Sequence, residues 1–337
     1  MTSTVLVSIR NLVKYFDISG GWLEQLRFTG GRIVRQRDVV KAVNNVSFDI
    51  NRGETVSVVG ESGCGKSTLA RTVMCLYPPN SGEIYYQGKR IDGLSEKHLK
   101  PYRTKMQMVF QDPYASLNPR MTVEKILKEP IRFHHPEMNR DMVEEKIIHV
   151  MKQVGIDPDW RDRHPHEFSG GQRQRISIAR ALTIDPDFIV ADEPIAALDV
   201  SIQAQILNLL MELQQDNNLT YLFISHDLSV VRHISDKVAV MYLGTLCEFG
   251  ETAQLFAGPQ HPYTRALLSA IPKIGERFSH TRLQGDVPTP INLPPGCVFN
   301  TRCPHAKDVC LRHLPDLTRQ QDGSFVACHG VAEGWLA

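Results

Sequence analysis

The chain has 337 residues, 42% of them apolar and 22% charged, with a formal net charge of +1. That length suggests about two domains, and the near-neutral charge leaves no electrostatic footprint for nucleic acid. No apolar run approaches the ~18 residues of a membrane span, and MTSTVLVSIR lacks a charged start followed by a long apolar core, so neither a signal peptide nor export from the cytoplasm is expected.

In chain order, the first strand-like run is VLVSI (5–9), followed by LVKYFDI with adjacent aromatics Tyr15 and Phe16. Residues 17–40 carry Gly pairs and scattered charge and read as a long loop or irregular hairpin. Arg27, Arg32, Arg35 and Arg37 are expected on its solvated surface.

The strand TVSVVG then runs into GESGCGKST and the helical pattern STLARTVMCLY. This is the G-x-x-x-x-G-K-[ST] phosphate loop, with Gly60, Gly65, Lys66 and Ser67 in the specified places. Glycines let backbone N–H groups turn toward phosphate oxygens, and the following helix presents its positive end to the same anion. Lys66 is placed for the β/γ-phosphates and Ser67 for Mg2+. Cys64 is unspecified by the motif and reads as a small filler.

Strand patterns recur at KMQMVF, DFIVAD and LTYLFIS, and helical ones at QRQRISIARALTI, QAQILNLLMELQQ and HPYTRALLSAI. Such alternation argues for a mostly parallel sheet covered by helices. The run Phe188–Ala191 ends in Asp192 and Glu193, at the strand end where open α/β sheets place ligand chemistry. Asp192 suits Mg2+ and Glu193 suits an attacking water. Ser169, Gly170 and Gly171 open another helix and form a second candidate anion cradle.

The ordered set GESGCGKST, FSGGQRQR, FIVADEP, AALD and ISHDL resembles the ATP-binding cassette ATPases over residues ~10–250. The resemblance implies a RecA-like P-loop α/β core with an antiparallel β subdomain and a helical subdomain. It places ATP phosphates on Gly60, Glu61, Ser62, Gly63, Cys64, Gly65, Lys66, Ser67 and Thr68. The signature residues Ser169, Gly170, Gly171 and Gln172 would contact ATP held by a partner subunit. Gln111 would be the Q-loop glutamine, sharing Mg2+ with Ser67 and Asp192; Asp199 would lie in the D-loop. Glu193 would be the catalytic base and His226 the switch histidine. Phe16, or alternatively Tyr15, would stack on adenine, which needs a flat apolar partner; alternation along a strand then leaves the other in the core. Phe168, Ile195 and Ala196 depart from the family's usual Leu, Thr and Ser, with the catalytic set intact.

QDPYASLNPRMTV, VMYLGTLCEFG, HPYTRALLSAIP and PPGCVFNTRCPHAKDVC narrow the resemblance to the dipeptide/oligopeptide permease ATPases, the peptide/nickel group. The insertion after the first strand is similar to that of the F-type subunit. Such a chain would work at the cytoplasmic face of the membrane with a second ATPase of D type, two permease subunits and a solute-binding protein. Nickel chelates, glutathione and oligosaccharides are alternative cargoes; a soluble cassette ATPase with redox or metal sensing is the other class. Expected boundaries are 1–112 with 176–250 for the core, 113–175 for the helical signature subdomain, and 251–337 for a C-terminal extension.

Four of the seven cysteines, Cys297, Cys303, Cys310 and Cys328, fall in that extension. Cytosolic thiols stay reduced, so a metal site is expected rather than a disulfide framework. Spacing alone leaves Zn2+ and an iron–sulfur cluster open, with His305, His313 and His329 nearby as possible mixed ligands. The resemblance implies a [4Fe-4S] cluster on the four cysteines, stapling a tail with little core of its own.

Overall fold

The computed structural model describes residues 4–20, 26–29, 32–35, 37–271, 285, 288–291 and 293–336. Strands β1 (Val5–Asp17), β2 (Leu26–Thr29), β3 (Arg32–Arg35), β4 (Val39–Asn51) and β5 (Thr55–Val59) precede helix α1 (Lys66–Val73). Strands β6 (Ser81–Tyr86) and β7 (Lys89–Arg90), helix α2 (Glu96–Lys105) and strand β8 (Met106–Val109) come next. Helices α3 (Pro113–Ser116), α4 (Val123–His134), α5 (Arg140–Gln153) and α6 (Gly170–Leu182) then lead to β9 (Phe188–Asp192), α7 (Val200–Asn217), β10 (Thr220–Ile224) and α8 (Leu228–Ile234). A second β-rich stretch follows with β11 (Lys237–Tyr242), β12 (Thr245–Glu251), α9 (Thr252–Ala257) and α10 (Pro262–Ser269). The tail adds α11 (Asp308–Arg312), β13 (Thr318–Arg319), β14 (Phe325–Val326) and α12 (His329–Ala332). Among the described residues no helix is long and apolar enough to cross a membrane.

The chain divides into two compact units. The first comprises Met1–Leu6, Ile50–Val56 and Gly93–Ser225. In it β8 and β10 flank β9 in parallel, Met106 and Thr220 both opposite Phe188. Every residue of β9 and β10 is buried, as continuous apolar runs in a sheet covered on both faces require. Side-chain caps start the helices: Thr122 accepts from Lys125 N–H at α4, and Asn139 from Met142 N–H at α5. These satisfy donors that a helix start otherwise leaves open.

The second unit comprises Val7–Asp49, Ser57–Asp92 and His226–Ala337. One sheet has the order β4-β1-β6-β7, with β1 antiparallel to β6 from Val7 opposite Tyr86. β11 and β12 form an antiparallel hairpin closed by Leu243 and Gly244 at φ 44° and 80°. Two consecutive left-handed residues suit the twist of a tight hairpin. β12 continues to β14 and β13. Residues 26–29 pair antiparallel with 32–35, so this part of the 17–40 segment is the hairpin alternative. Arg37 is exposed there; the side chains of Arg27, Arg32 and Arg35 lie outside the described residues.

The tail corrects one expectation. It is not a segment short of core: Cys297, Val298, Phe299 and Cys310 are buried in one hydrophobic cluster with Val59, Val240, Tyr242, Cys247 and Tyr263. Apolar contact therefore contributes to holding it.

Candidate functional site

In the second unit the buried end of β5, residues 57–59, delivers the chain to the phosphate loop. Gly60, Gly63 and Gly65 have φ of 151°, 79° and 105°, the region that an L side chain pays to enter. Two of them also face backbone: a Cβ on Gly60 would lie 2.1 Å from Met241 O, and one on Gly65 1.9 Å from Ala42 O. Gly65 is the N-cap of α1. Lys66 opens that helix, 5% exposed, its Nζ donating to Gly60 O at 2.8 Å and Glu61 O at 3.1 Å. Ser62 and Gly63 are exposed at the tip, and Ser67 and Thr68 are half-buried in the first helical turn. Cys64 is 3% exposed, and burial raises its thiol pKa despite the Lys66 ammonium 3.9 Å away. A buried neutral thiol is what its reading as filler requires.

Tyr15 and Phe16 are both half-buried, so neither is the core residue that strand alternation suggested. Leu12, 0% exposed, fills the core instead. Tyr15 is tethered: its hydroxyl donates to Asn44 Oδ1 at 2.5 Å, and its N–H donates to Asn80 Oδ1 at 2.7 Å. The Phe16 ring meets Tyr77 edge-on at 5.5 Å and carries the Lys14 ammonium 4.9 Å from its centroid. His226 is exposed just before Asp227, whose side chain caps α8.

In the first unit Asp192 ends β9, 2% exposed. Glu193 follows with φ 47°, its N–H donating to Ile224 O at 3.0 Å. A left-handed glutamate at a strand end is strained and is held there by its neighbours. Gln111, two residues beyond β8, donates from Nε2 to Glu193 Oε2 at 3.1 Å. The parallel pairing of β8 with β9 thus brings Gln111, Asp192 and Glu193 to one sheet end.

Ser169 caps α6 reciprocally: its Oγ accepts from Gln172 N–H, and its own N–H donates to Gln172 Oε1 at 3.0 Å. Behind it the glycines lie close to the stretch after β9. A Cβ on Gly171 would lie 2.4 Å from Ile202 Cγ2, and one on Gly170 3.4 Å from Leu198 Cδ2. Arg173 covers the Tyr114 ring at 4.2 Å. Asp199 is the N-cap of α7, and Gln203 donates to Ile195 O and Leu198 O at 3.2 and 2.9 Å. Phe168 is buried against Trp160 and Ile195 is buried, so these two departures from the family's usual residues are accommodated as packing, while Ala196 is exposed.

The four tail cysteines are free. Cys297, Cys310 and Cys328 are buried and Cys303 is partly exposed. Burial pushes the Cys297 thiol to about 12 and also raises Cys303 and Cys328. The thiols lie within electrostatic range of one another. Yet among the described residues no group of three or more His, Cys, Asp or Glu side chains is placed to hold a metal ion. The expected ligand set is therefore not assembled. His305 and His313 are exposed, and the His329 ring meets His313 O at 2.9 Å.

Sequence reasoning missed what grips the phosphate loop from behind. Tyr263 Oη accepts Glu61 N–H at 2.9 Å, and Arg302 forms an ion pair with the Glu61 carboxylate. Tyr263 stands in HPYTRALLSAIP, a run noticed only for its resemblance; Arg302 stands among the cysteines.

The second unit by itself carries the phosphate loop, and the first by itself the acidic strand end and the signature helix; each is a mark of the ATP-binding cassette ATPases. Residues 43–196 match the ABC transporter family, and residues 247–310 match the oligopeptide/dipeptide transporter C-terminal region. The oligopeptide transport ATP-binding protein AppF of Bacillus subtilis is 51% identical over 96% of this chain and 97% of its own. The dipeptide transport ATP-binding protein DppF of Haemophilus influenzae is 47% identical over 98% of each. Among solved structures, an ATP-binding cassette dimer in a post-hydrolysis state with ADP and Pi matches at TM-score 0.61. It is 28% identical, over 73% of this chain and 99% of that one. The cbiO1 protein of Clostridium perfringens matches at TM-score 0.62 and 27% identity, over 75% and 91%. The chain belongs to the ATP-binding proteins of the oligopeptide/dipeptide ABC transporters. It is an ATPase subunit.

Proposed function

We propose that this ATPase powers uptake of di- or oligopeptides through two permease subunits, with a D-type ATPase as partner and a solute-binding protein delivering cargo. The observation that carries the reading is near-full-length similarity to oligopeptide and dipeptide transport proteins, tail included. The chain would sit at the cytoplasmic face of the membrane, bound through the permeases. Residues 1–112 and 176–250 would form the nucleotide-binding core, 113–175 the helical part that meets the permease, and 251–337 the extension.

Each ATP would lie between one chain's Gly60–Thr68 loop and the partner's signature. Phe16 would stack on adenine, because Tyr15 is tethered through its hydroxyl. Lys66 and the loop amides would hold the β- and γ-phosphates; Ser169, Gly170, Gly171 and Gln172 would close on the γ-phosphate in trans, with Asp199 at the same junction. Glu193 would take a proton from water as its oxygen bonds to the γ-phosphorus; the bond to the bridging oxygen breaks and ADP leaves. His226 would hold the γ-phosphate in line. Positioning and electrostatics carry most of such a barrier. Ser67, Gln111 and Asp192 would hold Mg2+, whose charge offsets that of the phosphates; the buried carboxylate of Asp192 is a donor suited to it.

A [4Fe-4S] cluster, or Zn2+, on Cys297, Cys303, Cys310 and Cys328 is supported by donor chemistry alone, and loading would require the thiols to draw together. Iron, sulfide and zinc content after anaerobic purification tests it: four irons per chain support the cluster, and neither metal overturns both. For the transport reading, the complex is purified with its binding protein and the bound solute identified by mass spectrometry. Peptides support it; a nickel chelate, glutathione or a saccharide overturns it.

A further inference from the structure

Arg302 connects the C-terminal tail to the phosphate loop. It lies in the turn between Cys297 and Cys303, where the N–H groups of Arg302 and Cys303 donate to Phe299 O at 3.1 and 3.0 Å. Its guanidinium grips Glu61 with both prongs, Nη1 to Oε2 at 2.7 Å and Nη2 to Oε1 at 3.1 Å. Nη1 also donates to Tyr242 Oη at 3.3 Å. The arginine side chain is 7% exposed and that of Glu61 26%, so solvent and salt screen the pair little. The rings of Tyr242, Tyr263 and Phe299 pack mutually at 4.7, 5.3 and 5.4 Å and fix the platform beneath it.

Glu61 has every polar group engaged. Its N–H goes to Tyr263 Oη, its carbonyl accepts from Lys66 Nζ, and its carboxylate holds Arg302. Yet it directly follows Gly60, in a loop whose chemistry is to surround an anion. An unpaired carboxylate at that place would repel a triphosphate. A planar, always-charged fork is the side chain best shaped to cancel it and to fix its direction. Within the loop Lys66 reaches the Glu61 carbonyl, while the carboxylate is held by Arg302 from the tail.

We propose that Arg302 is a positioning residue for nucleotide binding: it neutralises Glu61 and holds the first turn of the phosphate loop open to ATP. ATP affinity thereby depends on the fold of the cysteine-bearing tail. The proposal rests on the phosphate loop being the ATP site.

The test is equilibrium binding of ATP and of adenosine to the full-length chain, with melting temperatures alongside. Arg302→Ala is expected to weaken ATP on the order of tenfold or more by the unscreened charge, with adenosine nearly unchanged. Arg302→Lys is expected to lose less. Arg302→Ala combined with Glu61→Gln is expected to recover most of the lost affinity, since the repelling charge is gone. Equal ATP binding by Arg302→Ala and wild type overturns the proposal. So does a double variant as weak as Arg302→Ala, which would make the arginine a packing element only. Should Arg302→Ala not fold, Arg302→Gln, which removes the charge and keeps a long side chain, with and without Glu61→Gln decides on the same criterion. Failure of the wild type to bind ATP would instead sink the assignment of the loop.

Discussion

Two glycines of the phosphate loop, replaced one at a time by alanine, separate backbone strain from collision. Gly63 has φ 79° and nothing within 4 Å of an added Cβ. Its replacement costs only the left-handed penalty, about 1–2 kcal/mol, so at most roughly 5- to 30-fold in ATP affinity if all of it falls on the bound state. Gly65, at φ 105°, carries the same penalty, and its Cβ would stand 1.9 Å from the carbonyl oxygen of Ala42. Real Cβ atoms stay beyond 3.0 Å of such neighbours, and the obstacle is main chain of β4, which cannot swing aside. The loop must retreat from it, which draws its amides off the phosphate position in addition to the backbone penalty. Fluorescent-nucleotide titration of both variants, with thermal melts to show that they fold, measures the order. Gly65→Ala is expected to bind at least several-fold more weakly than Gly63→Ala. Equal losses, or wild-type affinity in Gly65→Ala, would refute the reasoning.

Two other expectations follow from single side chains. Phe16→Ala should weaken ATP binding by about 1–3 kcal/mol, the usual worth of a base–aromatic stack. Tyr15→Leu removes the other ring together with its hydroxyl bond to Asn44 and should cost less than Phe16→Ala; the reverse ranking would assign adenine to Tyr15. His261 is 2% exposed, and burial pushes its pKa down to about 3, so it folds neutral, accepting Tyr263 N–H on Nδ1. Below its ordinary pKa of about 6.5 the unfolded chain takes up a proton that the folded chain refuses, so stability falls on acidification. From pH 8 to 5.5 that one group should cost about 1.4 kcal/mol. Urea unfolding of His261→Asn, which can still cap α10, should lack that share of the loss; an unchanged pH slope would refute the assignment.

The parts of the fold that could be read in advance were those whose signal is local. Buried parallel strands such as Phe188–Asp192 are short apolar runs, and α6 and α7 show helical periodicity and clear starts. The phosphate loop was legible because its glycines answer a backbone demand that few sequences meet. What lay hidden depends on distant partners. Glu61 and Arg302 are 241 residues apart, and no spacing rule connects them. The left-handed backbone of Glu193 gives no sign in ADEP, because it is imposed by Ile224 and the sheet end. Strand alternation misled at Tyr15 and Phe16, which are both half-buried. The cysteines were read for their thiols alone, whereas the Val298 and Phe299 between them anchor the tail in the core.

The central claim is that Glu193, oriented by Gln111, drives ATP hydrolysis for a transporter. Glu193→Gln keeps the shape of the side chain and removes its basicity. In the assembled complex it is expected to retain ATP binding while turnover falls at least ~100-fold, the lower range for loss of a general base. Wild-type turnover in that variant would contradict the account.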